Sequence, residues 1–185
     1  GDFYIDPWKP VEKAVITHAH ADHARSGHKN YLAHPFSIPV MKHRLGNKAN
    51  FQSIDYNEVI KINHVTVSLH PAGHIPGSAQ IRLEYKGKVS VVSGDYKLVN
   101  DGIATPFEPL KCHTYISECT FGLPVYKWPS IESVTKEIND WWRENTALGK
   151  NSIIYAYSLG KAQRIIDSLD MSIGSVFCHS AIYNM

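Results

Sequence analysis

The stretch ITHAHADHARSGH, residues 16–28, places four histidines and one aspartate within thirteen positions, directly behind the apolar run Ala14-Val15-Ile16. On an extended chain, residues two apart face the same side, so His18 and His20 leave the end of a strand addressing one point in space. Ala19 and Ala21 keep the intervening positions small. Asp22 and His23 follow where the chain turns, and their adjacency lets a carboxylate and an imidazole address a second point close by. Neutral imidazoles and carboxylates at this spacing suit two neighbouring cations.

Two later stretches complete the set. PAGHIPGSAQ, residues 71–80, puts His74 in a loop flanked by Gly73 and Gly77, which permit tight turns. VVSGDYK, residues 91–97, ends an apolar strand with Asp95 just after a glycine, projecting a carboxylate from a sheet edge. His18, His20 and His74 would hold one ion, Asp22 and His23 would begin a second, and Asp95 would bridge both. The donor types favour two divalent metal ions of the zinc kind, with manganese or iron as alternatives. The chain has eleven histidines. His28, His34, His43, His64, His70 and His113 have no partner at useful spacing and read as ordinary core or surface residues, with support of the ligands from behind a secondary reading for His28 and His34.

Composition narrows the class. A chain of 185 residues that is 43% hydrophobic can bury a real core. No apolar run is long enough to span a bilayer, and Gly-Asp-Phe-Tyr-Ile-Asp is not a secretory start, so the expectation is a cytoplasmic protein without a membrane partner. Cys112, Cys119 and Cys178 are odd in number and lack CxxC spacing, which argues for free thiols. A net charge of +2 does not by itself speak for nucleic acid.

Up to residue 117 the chain reads as short strands joined by loops. Ala14 to Thr17 is a buried strand, Val65, Val67 and Leu69 alternate with polar residues, and Ile81–Tyr85 and Val89–Ser93 flank a hairpin signal at Lys86-Gly87-Lys88. Tyr115-Ile116 continues the sheet. A boundary falls between Glu118 and Pro124, dividing a metal-binding part, 1–117, from a second part, 118–185. There Ile131, Val134, Ile138 and Trp141 recur at helical spacing until Gly149, with Trp141 facing a core. Residues 152–157 then read as a strand, 161–169 as a helix and 175–178 as a strand, a βαβ-like alternation.

The turn Ser158-Leu159-Gly160 leads into a helix whose first N–H groups and dipole suit a phosphate. Lys161 and Arg164, three apart on one helical face, extend that site, so Ser158, Gly160, Lys161 and Arg164 are candidate substrate-binding residues. Trp128 and Trp142 offer stacking surfaces for unpaired bases. His179, at an expected strand end, is not a ligand candidate.

HAHADH, then GHIPGSA, then SGDYK, in this order, resembles the metallo-β-lactamase superfamily. That resemblance implies an α/β fold, the αβ/βα sandwich, with two metal ions at one end. YISECTFG, residues 115–122, and YAYSLGKAQRI, residues 155–165, resemble the β-CASP nuclease branch. Across nearly all 185 residues, from GDFYIDPWKPVEKAVITHAHADHARSGH to GLPVYKWP, the chain looks most like the bacterial ligase-associated DNA exonucleases, also labelled mRNA 3′-end processing factors. The resemblance implies a two-metal phosphodiesterase acting on nucleic-acid ends, DNA first, with a DNA ligase as a possible partner. Asp22 and Glu118 would be its catalytic carboxylates, Glu118 orienting a histidine that protonates the leaving oxygen. In that branch aspartate at the position of Glu118 is typical of DNA enzymes and glutamate of RNA enzymes, which keeps an RNA 3′-end processing nuclease as the alternative. A small-molecule metallohydrolase, a thioesterase or lactamase, fits the metal motifs but not the GKAQR segment. A non-catalytic nucleic-acid-binding module that kept a structural metal is the remaining reading.

The chain departs from the family in one respect. Two further family histidines, one in an SDHAD stretch and one in a THG stretch, are not present in these 185 residues. One completes the second metal site and the other is the proposed acid. The expectation is therefore a part of a longer polypeptide, with the β-CASP insert only begun, an uncovered apolar sheet face and weaker occupancy of the second metal site.

Overall fold

The computed structural model describes residues 2–185 and divides into two compact units, Gly1–Glu118 and Cys119–Met185. The first unit holds two sheets. β1 (Tyr4–Ile5), β2 (Lys13–Val15), β3 (Asn30–Ala33) and β4 (Asn50–Ser53) form a parallel sheet in chain order, with α1 (Ser37–Leu45) in the crossover before β4. β5 (Val59–Ile62), β6 (Val65–Pro71), β7 (Ala79–Tyr85) and β8 (Lys88–Val92) form an antiparallel meander, and β9 (Thr114–Ile116) adds parallel to β8.

The alternation read from the sequence accounts for the second sheet. Val67, Leu69, Ala79 and Ile81 are buried on one face, and the same cluster takes in Val15 and Leu32 of the first sheet, so the two sheets share one apolar core. The β7–β8 connection is a two-residue turn, Lys86-Gly87, with both φ angles positive at 47° and 72°, the geometry that matches the twist of paired strands.

The layout gathers the strand ends. The 16–29 segment is the crossover from β2 to β3, leaving the C-terminal end of a parallel strand, where open α/β sheets build their sites. The amide of Ala79, at the start of β7, donates to the Thr17 carbonyl at 2.7 Å, which ties the second sheet to that exit. The β6–β7 loop, the end of β8 and the end of β9 therefore open at the same edge.

The second unit carries α2 (Ile131–Ala147), α3 (Lys161–Ser168) and α4 (Ser180–Tyr183). Ser130 caps α2 by accepting from the Ser133 amide at 3.2 Å, and Gly149 follows its end with φ 67°. Among the described residues of this unit there is no strand, so the expected strands at 152–157 and 175–178 are not formed. Their apolar side chains, among them Ile153, Tyr155 and Phe177, are exposed, and neither segment finds a ladder partner for its backbone groups. Trp141 is exposed rather than buried, while Trp142 is half-buried beside Gly174.

Leu69 is fully buried at the centre of the shared core. Leu69→Ala is expected to cost about 2–5 kcal/mol, read as a fall in the urea midpoint with an unchanged denaturant slope.

Candidate metal centre

β2 ends at Val15, a bend at Thr17 follows, and the turn over residues 21–23 gives the histidine stretch its second direction. The His20 carbonyl accepts from the amides of His23 and Ala24 at 3.2 and 2.8 Å, closing the turn that carries Asp22 and His23. Ala19 and Ala24 are buried beneath it, where larger side chains would not fit so tight a reversal. His74 sits in the β6–β7 loop, between Gly73 at φ 74° and Gly77 at φ 80°. The Ser78 hydroxyl accepts from the amides of His74 and Ile75 at 3.0 and 3.2 Å and holds that loop in shape.

These segments converge. His20 Nδ1 lies 3.0 Å from His18 Nε2 and 3.2 Å from His74 Nε2. Asp95 Oδ2 lies 3.3 Å from His74 Nε2 and 3.8 Å from His18 Nε2. One donor atom from each of His18, His20, His74 and Asp95 fits within 4.8 Å of every other. A second group, His23, Asp95 and Glu118, meets the same limit, with Asp95 common to both. His23 Nε2 faces Asp95 Oδ1 and Glu118 Oε1, each at 3.4 Å, and Asp22 Oδ2 at 3.6 Å. Asp22, whose side chain is 70% exposed, stands at the margin of the second group rather than inside it. Three imidazoles and a carboxylate gathered so closely are a donor set that fits a divalent cation of the zinc kind.

The electrostatics divide the two groups. Burial holds the His18 imidazole well below its usual range, and the neighbouring His23, His20 and His74 lower it further, so His18 is neutral. His23 goes the other way. Burial would lower it, but hydrogen bonds and charge from Asp6 and Asp95 override that and push it up to about 10. The His23 hydrogen bond holds the Asp95 carboxyl well below the usual carboxylate range, against the opposing effect of burial. Burial and the Asp95 charge raise Glu118.

Two supporting residues escaped the sequence reading. Asp6 follows β1 with φ 42° and spreads its carboxylate across the end of β2. Its Oδ1 accepts from the Thr17 amide at 2.9 Å, its Oδ2 accepts from the Thr17 hydroxyl at 2.6 Å, and that same oxygen lies 2.7 Å from His23 Nδ1. Thr17 Oγ1 is also 3.1 Å from His18 Nδ1. Asp6 thus fixes which nitrogen His23 presents to Asp95, and Thr17 does the same for His18. The only signal was an aspartate behind an apolar dipeptide, Tyr4-Ile5, which does not declare a partner 17 residues away.

The other histidines serve the fold. His28 accepts from the Val11 amide at 3.3 Å and packs on Tyr31, His34 stacks on Tyr56 with ring centroids 3.8 Å apart, and His70 lies between Ser68 and Glu108. His28 and His34 belong to neither donor group. In the second unit, the Gly160 amide donates to Gln163 Oε1 at 2.7 Å, and the Ser158 carbonyl accepts from Gln163 Nε2 at 2.9 Å. The open helix start expected there is thus closed by Gln163, which takes the Gly160 N–H that was to receive a phosphate. Lys161 Nζ lies 5.5 Å from the centre of the Tyr157 ring, and Arg164 is half-buried one turn along the same helix.

The fold and this centre make an α/β scaffold with a candidate metal centre, and similarity to known proteins supports the resemblance to the β-CASP branch of the metallo-β-lactamase superfamily. It is 31% identical over 185 residues to a "Probable DNA ligase" of Opitutus terrae, a match that covers 99% of this chain and 18% of that protein. It is 29% identical over 123 residues to "RNase aCSPSF2" of Saccharolobus solfataricus, covering 65% of this chain and 25% of that one. A crystal structure of a protein of unknown function from Enterococcus faecalis shares the fold, with a TM-score of 0.56 at 13% identity over 84% of this chain and 44% of its own. No family model matches the chain. The chain thus spans between about a fifth and a quarter of these two curated relatives. No helix among the described residues is long and apolar enough to cross a membrane.

Two outcomes follow from the geometry. Thr17→Val keeps the buried shape and removes the hydroxyl shared by Asp6, His18 and His23, and it is expected to weaken zinc binding about 10–100-fold in a competitive chelator titration. His23 is protonated below about 10 and must lose that proton to bind a cation, whereas His18 is already neutral. Calorimetry in buffers of different ionisation heat should therefore show the second ion displacing a proton, its affinity rising with pH between 7 and 9 by up to about tenfold per unit, with a much weaker trend for the first.

Proposed function

We propose that this chain is the metal-binding part of a nuclease that hydrolyses phosphodiester bonds at nucleic-acid ends, a DNA exonuclease of the ligase-associated type. The observation that carries the reading is the convergence of His18, His20, His74 and Asp95 in a chain similar along 99% of its length to a protein named as a DNA ligase. The same similarity supports a DNA ligase as the working partner.

Two divalent cations, zinc by the character of the donors, would supply Lewis-acid polarisation and water acidified to near neutral pH. His18, His20, His74 and Asp95 would hold one of them. His23 and Asp95 would hold the other, with Asp22 at its margin, so that Asp95 serves both and Glu118 stands beside it as the proton-transfer carboxyl. Asp6 and Thr17 keep the imidazoles in the tautomers that this requires. Glu118, raised by burial and by the Asp95 charge, keeps a proton more readily than an ordinary glutamate and assists proton transfer at the leaving oxygen. Lys161 and Arg164 provide a basic helix face for a phosphate backbone, with Ser158 and Gly160 shaping the turn before it.

The second reading is an RNA 3′-end processing nuclease. Glu118 and the ribonuclease names of several relatives favour it.

End-labelled single-stranded DNA and RNA separate the two. The expected result is shortening of DNA from an end that stops with chelator and falls more than about 100-fold with Asp95→Asn, beyond the loss typical of residues behind the ligands. Preferential cutting of RNA would move the assignment to the second reading. A full-length protein that cuts neither polymer would remove both.

A further inference from the structure

The turn that presents Asp22 and His23 has a second side. There, a cleft of about 440 Å³ opens between Trp8, Ala24, Arg25, Ser26 and Arg44. That volume is within the range of small-ligand sites, and its walls carry one indole, two guanidinium groups and a hydroxyl, with Ala21, Ala24 and Leu45 between them. The Arg25 guanidinium lies 4.4 Å from the centre of the Trp8 ring, and Arg25 Nε donates to the Asp22 carbonyl at 3.1 Å. Arg44 Nη1 donates to the Ala19 carbonyl at 2.6 Å. Both arginines are therefore fastened to the backbone of the segment that carries the metal ligands, one before His20 and one beside His23.

Trp8 is the part that the fold does not explain. Its side chain is 79% exposed, and it belongs to no core cluster. An exposed indole costs solvation unless something else uses its face, and Arg25 holds this one in a fixed orientation. A preset aromatic plane with flanking guanidinium groups is the chemistry that recognises single-stranded nucleic acid, through base stacking and phosphate pairing.

We propose that this cleft binds the nucleotide adjoining the phosphate at the metal centre, the base stacking on Trp8 and the backbone phosphate pairing with Arg25 and Arg44. This deepens the nuclease reading and rests on it. It assigns to the first unit a strand-holding subsite of its own. Because Arg25 and Arg44 are anchored to the Asp22 and Ala19 carbonyls of the histidine stretch, a nucleotide held there would lie along the strand that feeds the donor groups.

The test measures binding by fluorescence anisotropy, with a short phosphorothioate oligothymidylate and its oligouridylate counterpart as hydrolysis-resistant probes for the full protein. Trp8→Ala is expected to weaken affinity roughly tenfold or more, and Trp8→Phe to restore most of it. Arg25→Gln should reduce the slope of log affinity against log salt by about 0.7, the value of one lost phosphate contact on a single strand. Zinc content, measured on the same samples, should match the unsubstituted protein. A Trp8→Ala protein that binds both probes unchanged, or loses affinity only in step with lost zinc, overturns the subsite. Cleavage of ordinary strands is scored separately. Binding that does not depend on Trp8, in a protein that still cuts, sinks the cleft alone, whereas Trp8-dependent binding in a protein that cuts nothing sinks the nuclease reading and leaves the cleft.

Discussion

One carboxylate organises the metal centre from behind. Asp6 gathers the amide and hydroxyl of Thr17 and the ring nitrogen of His23, and in doing so it joins the exit of β1 to the exit of β2 and to the turn beyond it. A charged acceptor with three partners in a half-buried place is worth more than the same bonds in water, and it is costly to leave unmet. Because Thr17 also faces His18, the orientation of two imidazoles on either side of the turn descends from this single group. The remaining donors are added to a frame that Asp6 has already set.

That frame exploits the two sheets unequally. The parallel sheet contributes the histidine stretch at the end of β2, and the mixed sheet contributes His74 from the β6–β7 loop, Asp95 from the end of β8 and Glu118 from the end of β9. The Ala79–Thr17 hydrogen bond and the close approach of Gly94 to Thr17 bring the two contributions together. Gly94 has φ 55°, and a Cβ there would come within 2.5 Å of Thr17 Oγ1, so the residue before Asp95 must be glycine for the strand ends to meet. The SGD motif is therefore a packing requirement as much as a chemical one.

How legible all this was depended on sequence distance. HAHADH could be read directly because its geometry is local: alternation on a strand end, then a turn. His74 and Asp95 were legible through the glycines beside them, which mark where a backbone turns sharply. Asp6 was not, since an isolated aspartate carries no sign of a partner on another strand. Residues 152–157 and 175–178 failed for a related reason. Apolar runs declare a preference for extended backbone but not the presence of a neighbouring strand, and without one no ladder forms. Glu118 was legible only through the resemblance to a family, and its place against His23 emerged from the β8–β9 pairing. Gly160 looked available to a ligand because the pattern showed a helix start but not that Gln163 would turn back to cap it.

The chain order of the donors bears on when the centre comes into being. Its frame spans residues 6 to 118, and the part from Asp6 to His23 closes the shortest loops in it. The rest requires β7 to dock beside Thr17 and β9 to pair with β8, contacts whose loop closures carry an entropy cost that local turns avoid. The histidine stretch alone offers too few donors to retain a cation tightly. A cation held by donors from all of these segments would bind only the folded state, and its binding energy would add to the stability of that state.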